Sequence, residues 1–120
     1  MGRRDDHIEK YRTFKADAER PENSREIRAE AYFLAAFHLI DSCAAAHNVH
    51  IDKHQRVRQE LEADDFIFGK ETGRVWHLFQ RLERDLRPRF VYGFKGSERD
   101  FKDLQDAFAE LEAGCAKVVG

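Results

Sequence analysis

The feature of this sequence that most constrains its fold is the apolar stretch of residues 31–46, AYFLAAFHLIDSCAAA. Only His38, Asp41 and Ser42 are clearly polar within it. A helix that is apolar nearly all round is surrounded by other helices, because every one of its faces must be covered. The stretch therefore predicts the central helix of a helical bundle.

The residues that flank this stretch predict where the central helix begins and ends. Pro21 stops the helix before it, and Asn23 with Glu26 three residues later has the pattern of a capping box. Asn48 suits the left-handed position that follows the last turn of a helix. The central helix is therefore predicted to run from about Ser24 to His47.

Apolar residues at helical spacing predict two further helices, one on each side of the central one. The first runs from about Asp5 to Arg20, and another begins at Asp52, a good N-cap, and ends near Asp65. The apolar run FIFG at 66–69 is predicted to be a loop that covers the end of the core. The buried stripe of the first helix is predicted to consist of Ile8, Tyr11, Phe14 and Ala18.

The second half of the chain predicts two more helices. One runs from about Glu71 to Leu86 and is ended by Pro88, since proline disfavours helical backbone at the residue before it. After a connection at 90–96, Ser97 and Asp100 open the last helix with a second capping-box pattern. Apolar residues of the last helix alternate by three and four, as at the seam of a near-antiparallel bundle: Phe101, Leu104, Phe108, Leu111, Cys115 and Val118.

These patterns together predict an all-α fold, an up-and-down bundle of four to five helices around a central apolar helix. A chain of 120 residues leaves no room for two full cores, so residues 1–120 are predicted to form a single domain. Hydrophobic residues make up 42% of the chain, which is enough for one core. Its main side chains are predicted to be Phe33, Phe37, Leu104 and Phe108.

The sequence also carries information about the compartment. No window approaches eighteen consecutive apolar residues, and the first residues lack the apolar stretch of a signal peptide. Cys43 and Cys115 fall on apolar helical faces, where reduced and buried thiols are expected. We therefore expect a cytoplasmic protein without a membrane partner.

Six histidines raise the question of a metal site. His47, His50 and His54 have the spacing H-x2-H-x3-H, but on one helix the outer two would lie about 10 Å apart along the axis, too far for one ion. If the central helix ends at Asn48, His50 lies in a loop and the geometry is open. Neither Glu-x-x-His nor HExxH nor CxxC occurs in the chain. The sequence therefore predicts no metal site and no cofactor.

His38 is a separate case because it lies inside the most apolar helix. A buried imidazole needs a hydrogen-bond partner, and Asp41 or Ser42, one turn further on, would supply one. The alternative is that His38 and Asp41 line a cleft, an arrangement close to that of a general base. Both interpretations are open from the sequence.

A basic segment is the second candidate for function. Residues 70–99 carry eight Lys and Arg against four Asp and Glu, a net charge of +4. Guanidinium groups contact phosphates through paired hydrogen bonds, and an aromatic ring stacks on an unpaired base. The alternative is a solvated helix face on which Glu83 and Asp85 pair with its own arginines. The candidate nucleic-acid-binding residues of this segment are Arg81, Arg84, Arg87, Arg89 and Tyr92.

Three segments together resemble the HEPN superfamily of helical bundles, in particular its small stand-alone bacterial and archaeal members. They are AYFLAAFH at 31–38, IDKHQR at 51–56, and the spacing Leu82-x4-Arg87-x4-Tyr92-Gly93. The resemblance covers roughly residues 25–95. It implies a four- or five-helix bundle that forms a homodimer and binds or cleaves RNA, often as the toxin of a toxin–antitoxin pair.

This chain departs from the catalytic motif of that superfamily. Active members share an Arg-x4–6-His motif in a cleft between protomers, which serves metal-independent RNA cleavage. No arginine here is followed by histidine at that spacing, and the best positional match is Arg87-x4-Tyr92. A phenol with a pKa of about 10 is a poor base at neutral pH, so the departure favours binding over cleavage.

The sequence thus predicts a HEPN-like dimeric bundle without nuclease chemistry. Its ligand would be RNA, a nucleotide or a partner protein such as a nucleotidyltransferase antitoxin. A metal-independent ribonuclease with Arg87, Tyr92 and His38 as catalytic residues is the first alternative. A bundle with a purely structural or protein-interaction role is the second.

Overall fold

The computed structural model describes residues 3–92 and 96–119, and within these ranges the chain forms helices and turns without a strand. The all-α prediction is confirmed. Gly93 of the HEPN-like spacing and the middle of the predicted connection at 90–96 lie outside the described residues. The helices are α1 (Arg3–Glu19), α2 (Arg25–Ala45), α3 (Val57–Ala63), α4 (Thr72–Gln80), α5 (Pro88–Val91) and α6 (Glu98–Val119).

The central position of α2 follows from its composition. It packs against α1, α4, α5 and α6, and its alanines allow these neighbours to come close. Phe33, Leu104 and Phe108 are fully buried as predicted. Phe37 is only partly buried, because it lies at the edge of the core with its ring against His38 and His54.

The start of α2 differs from the prediction by one residue. Ser24, not Asn23, is the N-cap, and its hydroxyl oxygen accepts a hydrogen bond from the backbone N–H of Ile27 at 3.2 Å. Asn23 instead donates its side-chain amide to the carbonyl oxygen of Asp17, at 2.9 Å. This bond ties the turn between the two helices back to α1.

Asn48 ends α2 as predicted. Its φ of 61° is left-handed, and Val49 N–H donates to the carbonyl of Ala44 at 2.9 Å while Asn48 N–H donates to that of Ala45 at 3.0 Å. These two bonds form a Schellman motif, which turns the chain sharply after the helix. The residues that follow Asn48 therefore lie against the end of α2.

The segment after this turn is less helical than predicted. Extended backbone at Lys53 leads into a short 3₁₀ turn (His54–Arg56) and then α3, so Asp52 is not at a capping position. Ile67 and Phe68 of the FIFG run are buried, whereas Phe66 is exposed. The run covers the core with two of its three apolar side chains.

Helical backbone continues from α4 to α5 without the break that Pro88 was expected to cause. Residues Arg81–Leu86 form a π-helix, and Arg87 N–H donates to the carbonyl of Leu82, five residues earlier, at 2.9 Å. Pro88 then occupies the first turn of α5, where the missing N–H of proline does no harm. The predicted end at Leu86 therefore coincides with the end of the π-helix, but Pro88 does not end the helical backbone, because Arg87 keeps α-helical angles and α5 follows.

The last helix matches its prediction closely. Asp100 N–H donates to the hydroxyl of Ser97 and Ser97 N–H donates to the carboxylate of Asp100, both at 3.0 Å, which is a complete capping box. The predicted seam is buried from Phe101 to Cys115. Both cysteines are buried thiols, as predicted.

No helix within the described ranges has the length and apolar character that crossing a bilayer requires.

Candidate functional site

The guanidinium group of Arg87 lies between two aromatic rings. Its carbon is 4.1 Å from the centroid of the Phe33 ring and 5.9 Å from that of Tyr92. The Arg87 side chain is 12% exposed, and its Nη1 lies 3.4 Å from the carboxylate of Glu30. Its buried Nε makes no hydrogen bond to any residue in the described ranges. Arg87 therefore keeps donors that its protein surroundings do not use.

The same Phe33 ring also contacts a histidine. The His54 ring stands nearly perpendicular to it, with the centroids 5.0 Å apart. On its other side, His54 Nδ1 lies 2.6 Å from the carboxylate of Glu83, which is 7% exposed. We call Phe33, His54, Glu83, Arg87 and Tyr92 the Phe33 cluster.

The π-helix accounts for part of this arrangement. It contains Glu83, and its hydrogen bond from Arg87 N–H to the carbonyl of Leu82 fixes the backbone of Arg87. Segments of π-helix are frequent at functional sites. Glu83 is buried because His54 supplies the hydrogen bond that a buried carboxylate needs. Glu83 therefore orients His54 through one carboxylate oxygen, and its other oxygen lies 3.6 Å from Arg84, so part of the pairing that the solvated-face interpretation predicted is present.

The other arginines of the basic segment divide into two kinds. Arg81 and Arg84 are exposed, and Arg84 lies 3.6 Å from the second oxygen of Glu83. Arg89 is held by Asp85 at 2.7 Å and by Asp100 at 2.5 Å. A phosphate would have to displace those carboxylates, so the prediction that Arg89 binds nucleic acid loses support.

Tyr92 lies at the exposed edge of the Phe33 cluster. It is 61% exposed, among the highest values for a large apolar or aromatic side chain in the described ranges. Its ring thus offers a free face beside the guanidinium of Arg87. A ring next to a partly unused guanidinium matches the chemistry of a base linked to a phosphate.

His38 belongs to a different cluster. Its Nδ1 lies 2.9 Å from Nδ1 of His7 on α1, and Nε2 of His7 lies 3.0 Å from the carboxylate of Asp41. Ser42 donates its hydroxyl to the carbonyl of Leu39 instead. The predicted direct bond from His38 to Asp41 or Ser42 is therefore wrong, since His7 stands between the imidazole and the carboxylate.

The surroundings of His38 fit only part of the cleft interpretation, because His38 lines a depression whereas Asp41 is buried and does not. Its ring stacks on Phe14 and lines an open depression of about 440 Å³ whose other walls are acidic, basic and polar side chains of α1: Asp6, Glu9, Lys10 and Thr13. Burial, with smaller contributions from the charges of His7 and Lys10, lowers the pKa of His38 to about 4. His38 is therefore a neutral imidazole at neutral pH.

The turn after α2 adds a further side chain to this cluster. Because the Schellman motif returns the chain onto α2, Ile51 N–H donates to the carboxylate of Asp41 at 3.3 Å. His50 then lies beside Asp41 and His7, and one ligand atom from each of the three falls within 4.8 Å of the others. We call His7, His38, Asp41 and His50 the His7 cluster.

The structure thus separates residues that the sequence grouped and joins others that lie far apart in it. Of the H-x2-H-x3-H histidines, His47 packs on Phe66, His50 joins the His7 cluster and His54 joins the Phe33 cluster. The proposed catalytic set of Arg87, Tyr92 and His38 is divided between the two clusters.

Sequence reasoning missed His7 and the pairing of His54 with Glu83. A signal for His7 was present, because positions 7, 11, 14 and 18 share one face of α1, so His7 lies on the predicted apolar stripe beside Ile8. The pairing of residues 54 and 83 crosses 29 positions and follows no local pattern. Only the packing of α2 between these elements brings them together.

Comparison with protein-family models, with curated proteins and with solved structures finds no match to this chain.

Proposed function

We propose that this protein is a HEPN-like helical bundle that binds single-stranded RNA or a nucleotide at the Phe33 cluster. The observation that carries the proposal is the state of Arg87, whose guanidinium lies between Phe33 and Tyr92 with a buried Nε that no described residue uses. A guanidinium held in this way is oriented before a ligand arrives, so little side-chain entropy is lost on binding. Because Nε is buried, the terminal nitrogens of the 12% exposed Arg87 side chain would donate to phosphate oxygens.

Two neighbours extend this site. The exposed ring of Tyr92 would stack on a base whose phosphate contacts Arg87, and the exposed Arg81 and Arg84 would contact phosphates further along a strand. As the HEPN resemblance implies, we also propose that two copies of the chain associate. Light scattering on the purified protein tests the homodimer directly.

The proposal is tested by the anisotropy of a fluorescent single-stranded RNA titrated with protein at low and moderate salt. Affinity should fall steeply with salt, because phosphate contacts release counterions. Arg87→Lys keeps the charge but loses the paired geometry, and Tyr92→Ala should lose about 1–3 kcal/mol of stacking. Tyr92→Phe should bind like the parent if the ring only stacks.

Arg99→Gln is the control, since it removes one positive charge from an 84% exposed position on α6 whose ion-pair partner is Asp103, outside the Phe33 cluster. It should change affinity only slightly. If Arg87→Lys bound RNA like the parent while Arg99→Gln weakened binding, the interaction would be reduced to net charge. An RNA that shows no binding at low salt would refute the proposal, and an interaction module for proteins would then be the leading function.

One observation favours a second candidate function, a metal-independent ribonuclease. A histidine held by a buried carboxylate is a common form of general base, and His54 with Glu83 has that form 5.0 Å from the ring on which Arg87 lies. In this ribonuclease His54 would be the general base, a role for which the sequence had offered His38 and Tyr92. End-labelled RNA incubated with chelator should then be cut by the parent, and His54→Asn should bind RNA without cutting it.

A further inference from the structure

The His7 cluster has no part in the proposed RNA site, yet it gathers the kinds of atoms that hold a metal ion. His7 comes from α1, Asp41 from α2 and His50 from the turn between α2 and α3, and one ligand atom of each lies within 4.8 Å of the other two. Two imidazoles and a carboxylate form a common donor set for zinc and related divalent ions.

The geometry around His7 is that of a metal ligand with its outer support already in place. Its two ring nitrogens have different neighbours, His38 Nδ1 at 2.9 Å and Asp41 at 3.0 Å. Without an ion, these two contacts fit a chain in which His38 donates to Nδ1 of His7 and Nε2–H of His7 donates to Asp41. If an ion takes the place of the proton between Nε2 and the carboxylate, His7 donates its Nδ1–H to His38 instead. Metal-bound histidines usually donate their second N–H to such a neighbour.

Asp41 and His50 contribute complementary properties. Asp41 is 1% exposed and is fixed by the N–H of Ile51, so its carboxylate is positioned before any ion arrives. His50 is exposed and lies outside the helices, so an ion can reach it from solvent. Two donors of one tetrahedral zinc ion lie about 3.3 Å apart, and His7 Nε2 and Asp41 are already at 3.0 Å.

We propose that His7, Asp41 and His50 bind one divalent transition-metal ion, best matched by Zn²⁺, with His38 as the hydrogen-bond acceptor behind His7. Three protein ligands leave a fourth position for water or for an added ligand, and the exposed His50 marks the side from which solvent reaches it. This inference replaces the sequence-based expectation that the chain has no metal site. The expectation was built on histidines close in sequence, and the donors here come from three separate segments.

The test is a calorimetric titration of Zn²⁺ into chelator-treated protein, together with the melting temperature with and without zinc. We expect one equivalent of zinc to bind and to raise the melting temperature. His38→Asn removes the hydrogen-bond partner of a ligand and should weaken zinc binding by about 10–100-fold. His50→Ala removes a ligand itself and should weaken zinc binding by more than that. Because His50 is exposed, His50→Ala should fold normally without zinc.

His47→Ala is the matched control, since His47 is an exposed histidine three positions earlier that packs on Phe66. It should bind zinc like the parent. Absence of zinc uptake by the parent, or equal affinity in parent and His50→Ala, would overturn the proposal. So would a loss of zinc binding in His54→Asn but not in His50→Ala, which would assign the ion to the Phe33 cluster.

Discussion

Tyr11 links α1 to α6, because its hydroxyl donates a hydrogen bond to the carboxylate of Glu112. The ammonium of Lys15 lies 2.7 Å from the same carboxylate oxygen. Burial and then the hydrogen bond and charge of Glu112 raise the pKa of Tyr11 to about 12. The folded state therefore keeps this proton at a pH where the unfolded chain, with its tyrosine pKa of about 10, releases it.

This shift has a defined consequence for stability at alkaline pH. Below pH 10 both states hold the proton, and Tyr11→Phe should cost about 1–2 kcal/mol, because the bond to Glu112 is lost. Between about pH 10 and 12 only the unfolded state releases it, so the advantage of the parent over the variant should decline. Urea unfolding of both proteins at several pH values measures this difference. A constant difference up to pH 12 would contradict the role given to Tyr11.

Two glycines should respond in opposite ways to the same substitution. A Cβ on Gly96 would lie 2.1 Å from the ring of the buried Phe90, so Gly96→Ala should cost about 1–3 kcal/mol through displacement of that ring. A Cβ on Gly114, inside α6, would meet Val75 at an ordinary 3.5 Å, and Gly114→Ala should add about 0.5–1 kcal/mol of stability. Thermal melting distinguishes the two, and a Gly96→Ala protein as stable as the parent would mean that the ring moves freely.

At the scale of single residues, Arg87 and Tyr92 were selected by their spacing, and the structure places the guanidinium carbon of Arg87 5.9 Å from the centroid of the Tyr92 ring. Their role in binding stays a prediction. His7 and Glu83 escaped prediction because their partners, His38 and His54, lie 31 and 29 positions away. Nothing in a helical repeat encodes such a distance.

Among the helices, α2 and α6 carry most of the apolar burial, and two phenylalanines show how it is distributed. Phe108 is 2% exposed and contacts Tyr32, whereas Phe37 lies at the edge of the core. Phe108→Ala should cost about 3–5 kcal/mol and Phe37→Ala clearly less, because a side chain that is already partly solvated leaves a smaller cavity. Equilibrium unfolding measures both, and equal losses would indicate that Phe37 is buried in solution.

Element boundaries were predictable where a capping residue acts alone. Ser97 with Asp100 and the left-handed Asn48 lie where their side chains and backbone preferences place them. The boundaries of α3 were not predictable from the sequence. Its apolar residues suit a longer α-helix, but the turn that returns the chain to Asp41 leaves room for only a short helix. Tertiary contacts decided that segment.

The whole molecule carries 21 basic and 23 acidic side chains, and many of their pairs lie on exposed helix faces four residues apart: Arg58 with Glu62, Arg99 with Asp103 and Lys102 with Asp106. Exposed pairs of this kind each contribute little. When NaCl is raised from about 0.1 M to 1 M, the Debye length falls from about 10 Å to about 3 Å and these ion pairs are screened. We therefore expect the melting temperature to change by less than about 5 °C over this range, the shift that ~1 kcal/mol produces in a domain of this size.

The same salt should abolish RNA binding, so the two measurements together separate stability from recognition. A large fall in melting temperature at high salt would show that the ion pairs hold the fold together.

At this scale the architecture was predictable because an apolar α2 needs neighbours on every side. The order in which those neighbours pack, and hence both clusters, depends on contacts between distant segments.

The π-helix at Arg81–Leu86 also bears on how this chain should be aligned with others. A π turn holds one residue more than the α turn that it replaces, so it corresponds to a single inserted codon. A relative without that codon would carry an uninterrupted α-helix, and every side chain after it would be rotated by about 100°. An arginine aligned with Arg87 would then point away from the ring of Phe33. The number of residues between Trp76 and Pro88 is therefore as diagnostic of this site as the arginine itself.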